Sequence, residues 1–190
     1  MIDKEDFEKL RKNLKSYDEQ RESLIKKSRD VLKLSKQLIY SIHRNNSKEA
    51  AALHAQVKKE KQALDKIAAG EKKLIYEGSY SDACQEYAEA LTYYGFIAHG
   101  KVAPISEVDV GEEDYLMGIS DLTGELARKA VVVANKEPEE VRKIKDLVEE
   151  IFGEFLKFDL RNSELRKKSD AIKWNLKKLE EIIYDIEKKR

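Results

Sequence analysis

The chain has 190 residues, of which 39% are charged, and glycine (8) and proline (2) are scarce. This composition is typical of long helices and is poor for β-sandwiches or flexible linkers. Basic and acidic residues balance at 37 each, yet residues 1–80 hold 19 basic and 13 acidic residues, whereas residues 81–136 hold 4 and 10. Because concentrated like charges repel, the acidic middle is expected to attract cations.

Sequence patterns for membrane insertion and for secretion are absent, since no run of 18 apolar residues and no signal-peptide pattern occurs. We therefore expect a cytoplasmic protein that has no membrane partner. The single cysteine, Cys84, has no second cysteine with which to form a disulfide, a redox pair or a zinc knuckle. It is expected to be a small apolar core residue.

Apolar residues recur at steps of three, four and seven from residue 3 to about 44, which predicts an unusually long first helix that serves as a spine or packing surface. Its stripe consists of Phe7, Leu10, Leu14, Tyr17, Leu24, Val31, Leu38 and Ile42. The turn "RNNS" (44–47) predicts Asn46 or Ser47 as the N-cap of a second helix, which is expected to end at Gly70.

Glycine and proline then mark the middle of the chain. The stretch "EGSYS" (77–81) predicts a break before a third helix over residues 82–99. Residues 99–111 contain both a glycine and a proline and are predicted to be a loop. The next helix is predicted from Glu112 to about Asn135.

The last third of the chain is predicted to form two helices. One begins at Pro138, a favourable first-turn residue, and runs to about Phe158. The other begins near Asn162 or Ser163 and carries a heptad-like stripe made of Leu165, Ile172, Leu179 and Ile186. Together the patterns predict an all-α, single-domain bundle over residues 1–190, with six to seven helices and long first and last helices. The long apolar stripes predict assembly of this chain into a homo-oligomer.

Two carboxylates interrupt the apolar pattern of the third helix. Three residues advance about 300° around a helix, so Glu86 and Glu89 share one face on adjacent turns. The same face continues with Tyr93, Phe96 and Ile97, which is unusual for a solvated surface. The pattern predicts carboxylates that are partly covered by protein.

A second acidic set lies in "DYLMGISDLTGEL" (114–126), where Asp121 and Glu125 share a stripe with Asp114 and Gly118. Like charges at i,i+4 destabilise a helix by a few tenths of a kcal/mol, and a divalent cation would remove that conflict. Gly118 leaves room for a close approach by another helix or by a ligand.

Several kinds of site can be compared with these acids. A di-iron bundle requires Glu-x-x-His pairs, but the residues three positions before the histidines are Tyr40, Ala51 and Phe96. Zinc and Walker-type phosphate motifs are absent as well. An all-oxygen set suits Mg²⁺ or Mn²⁺, which can serve phosphodiester hydrolysis. From spacing alone, ordinary helix-surface charges remain the alternative.

Four stretches resemble the translin family in the expected order, namely residues 17–44, 85–90, 114–126 and 160–186. The second and third, "QEYAEA" and "DYLMGISDLTGEL", are the most specific. The resemblance implies all-helical subunits that bind single-stranded nucleic acid and assemble into hollow octamers. It also implies, from the subunit type called translin-associated factor X, an Mg²⁺-dependent endoribonuclease site built from acidic residues.

Transferred by resemblance, Glu86, Glu89 and Asp121 are the expected metal ligands and catalytic residues, and Glu125 is a fourth catalytic residue. The implied protein is an endoribonuclease for single-stranded RNA, with single-stranded DNA as a further ligand, that uses Mg²⁺ or Mn²⁺ inside a hollow homo-octamer. The chain lacks long insertions, as we expect of a compact prokaryotic member. One alternative is a single-stranded nucleic-acid-binding protein without catalysis, and another is a purely structural helical assembly.

The nucleic-acid contacts are predicted from basic residues, because lysine and arginine bind phosphate regardless of base sequence. The sequence "GEKKLIYEGSYS" stands where translin has an arginine-rich segment. The candidates are therefore Arg166, Lys167 and Lys168, followed by Lys72 and Lys73. Charge runs on helices are otherwise solvated faces.

Three aromatic residues are candidates for stacking on bases. At their helical positions, Tyr93, Tyr94 and Trp174 are more often core residues, and we expect them to be buried.

Overall fold

A computed structural model describes residues 2–161 and 163–188. Over these residues the fold is all-α, as predicted, with seven α-helices, one 3-10 turn (Leu74–Tyr76) and no β-strand. The helices are α1 Lys4–His43, α2 Ser47–Ala68, α3 Gly78–His99, α4 Ile105–Val108, α5 Glu112–Val133, α6 Pro138–Phe155 and α7 Glu164–Lys188.

The order of packing places α3 and α5 in the middle of the bundle. Helix α1 packs on α2 and on α3, α3 packs on α5, and α5 packs on α6 and α7, which also contact each other. Helix α3 is buried over much of its circumference, from Ala83 to Gly95. Polar residues on α3 that face α5 are therefore removed from solvent by the fold itself.

Helix α1 follows its predicted bounds, but its apolar stripe packs against this chain only from Tyr17 onward. From Leu24 onward the stripe is buried, whereas Phe7, Leu10 and Leu14 are 50%, 55% and 64% exposed. Exposed apolar residues in a row on one helix face favour a further packing partner. The expected packing surface is thus half used within one subunit.

The helix boundaries follow local capping chemistry. Asn46 is the N-cap of α2, as predicted, and its side-chain oxygen accepts a hydrogen bond from the backbone N–H of Glu49 at 3.3 Å. The predicted first position of α6, Pro138, is confirmed. Gly100 ends α3 in the left-handed conformation, with φ 70°.

Three predicted helix boundaries were wrong. The break over 77–81 is wrong, because the Glu77 carbonyl accepts from the N–H groups of Tyr80 and Ser81 and starts α3 at Gly78. The 99–111 loop contains the one-turn helix α4, and α6 ends at Phe155 rather than near 158. Of the two predicted starts for the last helix, Asn162 lies outside the described residues. No helix in the described part of the chain has the length and apolar character needed to span a membrane.

Candidate active site between the central helices

Helices α3 and α5 approach each other closely at Gly118. A Cβ atom added there would lie 2.7 Å from the Ala88 Cβ, 2.8 Å from the Glu89 backbone nitrogen and 2.9 Å from the Gln85 carbonyl oxygen. These distances leave no space for a side chain at position 118. The contacting atoms are backbone atoms of α3 and the Cβ of Ala88, so they cannot move without a shift of α3. The glycine therefore lets the two helices pack backbone to backbone, which brings the acidic residues of both motifs face to face.

Four carboxylates meet around this contact, and we call them the acidic cluster: Glu86, Glu89, Asp121 and Glu125. Glu89 is 8% exposed, and the side chains of Glu86, Glu125 and Asp121 are 21%, 23% and 35% exposed. They repel one another, since Glu86, Asp121 and Glu125 each raise the pKa of Glu89. The structure thus brings together all four acids selected from the sequence.

The protonation of the cluster follows from burial and from this repulsion. Burial, followed by the charges of the other three acids, raises the pKa of Glu89 to about 9. Burial also raises the pKa of Glu86, against the opposing charge of Lys36. In contrast, a hydrogen bond from His43 holds the pKa of Glu125 below its ordinary value. At neutral pH Glu89 therefore holds a proton, whereas Glu125 is ionised.

Three of the four acids pair with lysine, histidine or arginine side chains. The Lys36 ammonium of α1 lies 3.7 Å from the Glu86 carboxylate, and Lys168 of α7 forms an ion pair with Asp121. Glu125 pairs with His43. Arg128 contributes a second contact to Glu125 at 3.5 Å.

Glu89 differs from the other three, because no salt bridge or hydrogen bond joins its carboxyl group to any described residue. Lys168 is the cation that opposes the rise of its pKa, and its influence is through charge alone. A buried carboxylate without a donor is uncommon in folded proteins. With its proton in place the Glu89 side chain is neutral, and a cation that displaced the proton would become its positive partner.

His43 fixes the orientation of Glu125 from the far end of α1. Its side chain is 8% exposed, and the Tyr93 hydroxyl lies 3.4 Å from its Nδ1. Sequence reasoning considered His43 only for a di-iron motif and did not select Lys36. Both lie on α1 seven residues apart, which is two helical turns, and this spacing is the signal that could have identified them.

The donor chemistry of the cluster fits a hard divalent cation, because all four acids offer carboxylate oxygens. The arrangement itself is not a finished metal site. Among the described residues, no three His, Cys, Asp or Glu side chains are placed to hold a metal ion together. Lysine and histidine partners instead contact one oxygen each of Glu86, Asp121 and Glu125. A metal ion that bound the contacted oxygens of Glu86 and Asp121 would have to replace the ammonium groups of Lys36 and Lys168.

The predicted basic residues differ in their relation to the cluster. Lys168 reaches Asp121, whereas Arg166 pairs with Asp170 at 3.4 Å and Lys167 pairs with Glu164 at 2.5 Å, both along the exposed face of α7. The remaining candidates, Lys72 and Lys73, are exposed in the turn between α2 and the 3-10 segment. Of the predicted phosphate contacts, the structure brings Lys168 to the acids.

The aromatic candidates divide in a similar way. Tyr93 is fully buried, as expected, and Tyr94 is half-buried and stacks on His54 with ring centroids 4.3 Å apart. The expectation that Trp174 is a core residue was wrong, since it is 66% exposed. It lies two residues from the buried Ile172, and two residues advance about 200° around a helix to the opposite face.

The fold and the acidic cluster define an all-helical protein with a carboxylate-rich site between its central helices. Residues 19–188 match the family model described as Translin family. The chain therefore belongs to the translin family, which confirms the resemblance.

Individual relatives cover nearly the whole chain. It is 25% identical to the Translin-associated protein X homolog of Schizosaccharomyces pombe over 95% of this chain and 86% of that protein. The crystal structure of apo-NeC3PO matches with a TM-score of 0.88, 27% identity and 98% coverage of both chains. The complex of AfC3PO with duplex RNA matches with a TM-score of 0.83, 25% identity and 97% coverage of both chains.

Proposed function

We propose that this protein is an Mg²⁺- or Mn²⁺-dependent endoribonuclease that binds single-stranded RNA and hydrolyses it inside a hollow homo-oligomer, an octamer by resemblance to its family. The observation that carries the proposal is Glu89, a buried carboxylate without a donor that faces Asp121 across the α3–α5 contact. A buried acid whose pKa is raised by neighbouring like charges is typical of a functional site.

The residues of this chain that would hold the cation are Glu86, Glu89 and Asp121. When bound, the cation would activate water and stabilise the negative charge that develops on the phosphate. Glu125 is kept ionised by His43 and has its orientation fixed by the same contact. It is therefore suited to hold or orient a polar group of the reaction without a change in its own charge.

The proposed ligand follows from the relatives and from the basic residues. A solved relative, AfC3PO, forms a complex with duplex RNA, which supports RNA as the ligand and makes duplex RNA a necessary comparison in any binding assay. The proposed phosphate contacts are Arg166, Lys167, Lys168, Lys72 and Lys73. Contacts of this kind neutralise phosphate, so RNA affinity should fall steeply between about 50 and 200 mM salt.

The proposed assembly uses the exposed half of α1. Phe7, Leu10 and Leu14 form an apolar row that the described residues of the same subunit leave at least half exposed. In a homo-oligomer another subunit would cover it, and this removes apolar surface from water at about 25 cal/mol per Å². The closed shape of such an assembly would enclose the RNA near the acidic cluster.

A second candidate function is single-stranded nucleic-acid binding without catalysis. It is favoured by the pairing of three of the four acids with Lys36, Lys168 and His43. In addition, the described residues contain no group of three His, Cys, Asp or Glu side chains placed to hold a metal ion. In this alternative the acidic cluster would be a set of structural ion pairs.

Cleavage of a short single-stranded RNA separates the two functions. The wild-type protein should cut it internally with Mg²⁺ or Mn²⁺ and should stop when EDTA is added, while RNA binding persists. Binding of RNA with no cleavage under any divalent cation would instead favour the second function. Absence of both binding and cleavage would reject both and leave a structural assembly.

A further inference from the structure

Lys168 has a position that the other predicted phosphate contacts lack. Its neighbours Arg166 and Lys167 pair with Asp170 and Glu164 of their own helix, in exposed salt bridges. Lys168 instead crosses from α7 to α5 and pairs with Asp121. Its side chain is 30% exposed, so it contacts Asp121 and is also accessible from solvent. The same ammonium can therefore serve the acids or a ligand outside them.

The cluster contains a group that the lysine does not satisfy. Glu89 is more than nine-tenths buried and has no donor among the described residues, and Lys168 acts on it only through its charge. A lysine ammonium is a single positive charge on a flexible stem. It neutralises Asp121 but forms no contact with the carboxyl group of Glu89. A divalent cation carries twice the charge and binds several carboxylate oxygens at once.

Lys168 and a metal ion would compete for one oxygen of Asp121, its Oδ2, which the ammonium contacts. Asp121 cannot keep a close contact with the ammonium and also place that oxygen on a metal ion. Lys36 is a weaker competitor, because its contact with Glu86 is longer, at 3.7 Å, and its side chain is 60% exposed, where water screens the charge.

We propose that Lys168 is an exchangeable counter-ion: its ammonium neutralises Asp121 in the metal-free protein, leaves Asp121 when a divalent cation binds, and then binds a phosphate of the RNA. This inference rests on the proposed function and assigns its regulation to one residue. It makes phosphate binding by Lys168 conditional on the metal, so that the protein gains an RNA contact only when the cleavage site is loaded.

Binding of Mn²⁺ alone, measured by calorimetry without RNA, tests the first half of the inference. Lys168→Met removes the competing ammonium and keeps a stem of similar length. Lys167→Met, the matched control, removes one positive charge from the adjacent position, where it contacts Glu164. Lys168→Arg keeps a positive charge at position 168 and checks that the effect is due to charge.

We expect Lys168→Met to bind Mn²⁺ about fivefold more tightly than wild type, which corresponds to the loss of one partly exposed ion pair. Lys167→Met and Lys168→Arg should remain close to wild type. Equal tightening in Lys168→Met and Lys167→Met would overturn the inference, because the effect would then be general electrostatics. Weaker Mn²⁺ binding in Lys168→Met would also overturn it, because Lys168 would then support the site.

The second half is tested by the salt dependence of RNA affinity, with a 2′-O-methyl oligoribonucleotide that is checked for intactness after each titration. With saturating Mn²⁺, Lys168→Met should lower the steepness of the log–log salt plot by about 0.7 relative to wild type, the value for one lost single-strand phosphate contact. In EDTA the two proteins should give the same slope. A loss of slope that is equal in Mn²⁺ and in EDTA would contradict the exchange.

Failure of the inference and failure of the proposed function give different results. If the wild-type protein binds no Mn²⁺, the metal-dependent function fails, and the exchange with it. If wild type binds Mn²⁺ and Lys168→Met matches it in affinity, the metal site stands and only the exchange is rejected.

Discussion

The close contact of α3 and α5 gives the sharpest stability prediction. Gly118→Ala adds a Cβ that would lie under 3.0 Å from three atoms, which belong to the backbone or to the Ala88 Cβ and cannot rotate away. Alanine is favoured over glycine inside a helix by about 1 kcal/mol. Overpacking of a core costs about 1–3 kcal/mol or more. We therefore expect a net loss of up to about 2 kcal/mol in the free energy of unfolding.

Gly124→Ala is the matched control on the same helix. Its added Cβ would have one contact, 3.7 Å from the Asn175 side-chain nitrogen, which is an ordinary van der Waals distance. The control should therefore gain up to about 1 kcal/mol from helix propensity. Urea unfolding followed by circular dichroism, at one protein concentration for all variants, measures the difference.

The propensity gain is the same in both variants, so the expected gap between them is the overpacking cost, about 1–3 kcal/mol. Gly118→Ala should also weaken Mn²⁺ binding, because separating the helices moves Asp121 away from Glu86 and Glu89. Equal stability of the two variants, or stabilisation by Gly118→Ala, would refute the claim that backbone contact at Gly118 sets the geometry of the acidic cluster.

Three further predictions concern the acids and the assembly. Because the pKa of Glu89 is raised to about 9, the metal-free folded state binds a proton that the unfolded chain releases. Wild-type stability relative to Glu89→Gln should thus fall by up to about 1.4 kcal/mol per pH unit between about pH 5 and 9 in urea titrations, and parallel pH profiles would contradict this. His43→Ala leaves the half-buried Glu125 with Arg128 alone and should lower the unfolding free energy by about 1–3 kcal/mol, with His43→Gln, which keeps a donor, losing less. Replacing both Leu10 and Leu14 by Asp should lower the light-scattering mass without destabilising the subunit; an unchanged mass would exclude this face from the interface.

Much of the fold could be predicted from apolar spacing and from caps. The bounds of α1 and α5, the Asn46 cap and the Pro138 start depend on local patterns that survive in the folded chain. The start of α3 could not be predicted in this way, because the sequence around Gly78 is typical of a turn. In the folded chain, packing against the rest of the bundle stabilises a helix from Gly78 onward. Tertiary contacts override such local preferences.

The candidate site was only half predictable. Motif resemblance selected its acids, and helical periodicity placed each pair on one face. Their partners Lys36 and His43 belong to α1, far away in the sequence, and no spacing within the acidic motifs points to them. The exposure of Trp174 was not predicted for a related reason. An aromatic residue close to a heptad stripe is expected to be buried, and only the position of the neighbouring helices shows which face of α7 they cover.

Cleavage of single-stranded RNA by Glu89→Gln, compared with wild type and with Glu113→Gln, tests the central claim most directly. Glu113 is an exposed acid of α5 outside the acidic cluster, so its variant controls for the loss of one carboxylate. With saturating Mn²⁺, Glu89→Gln should lose cleavage while it still binds RNA, and Glu113→Gln should cut at the wild-type rate. Cleavage by Glu89→Gln at the wild-type rate would contradict the account and would place any nuclease activity outside the acidic cluster.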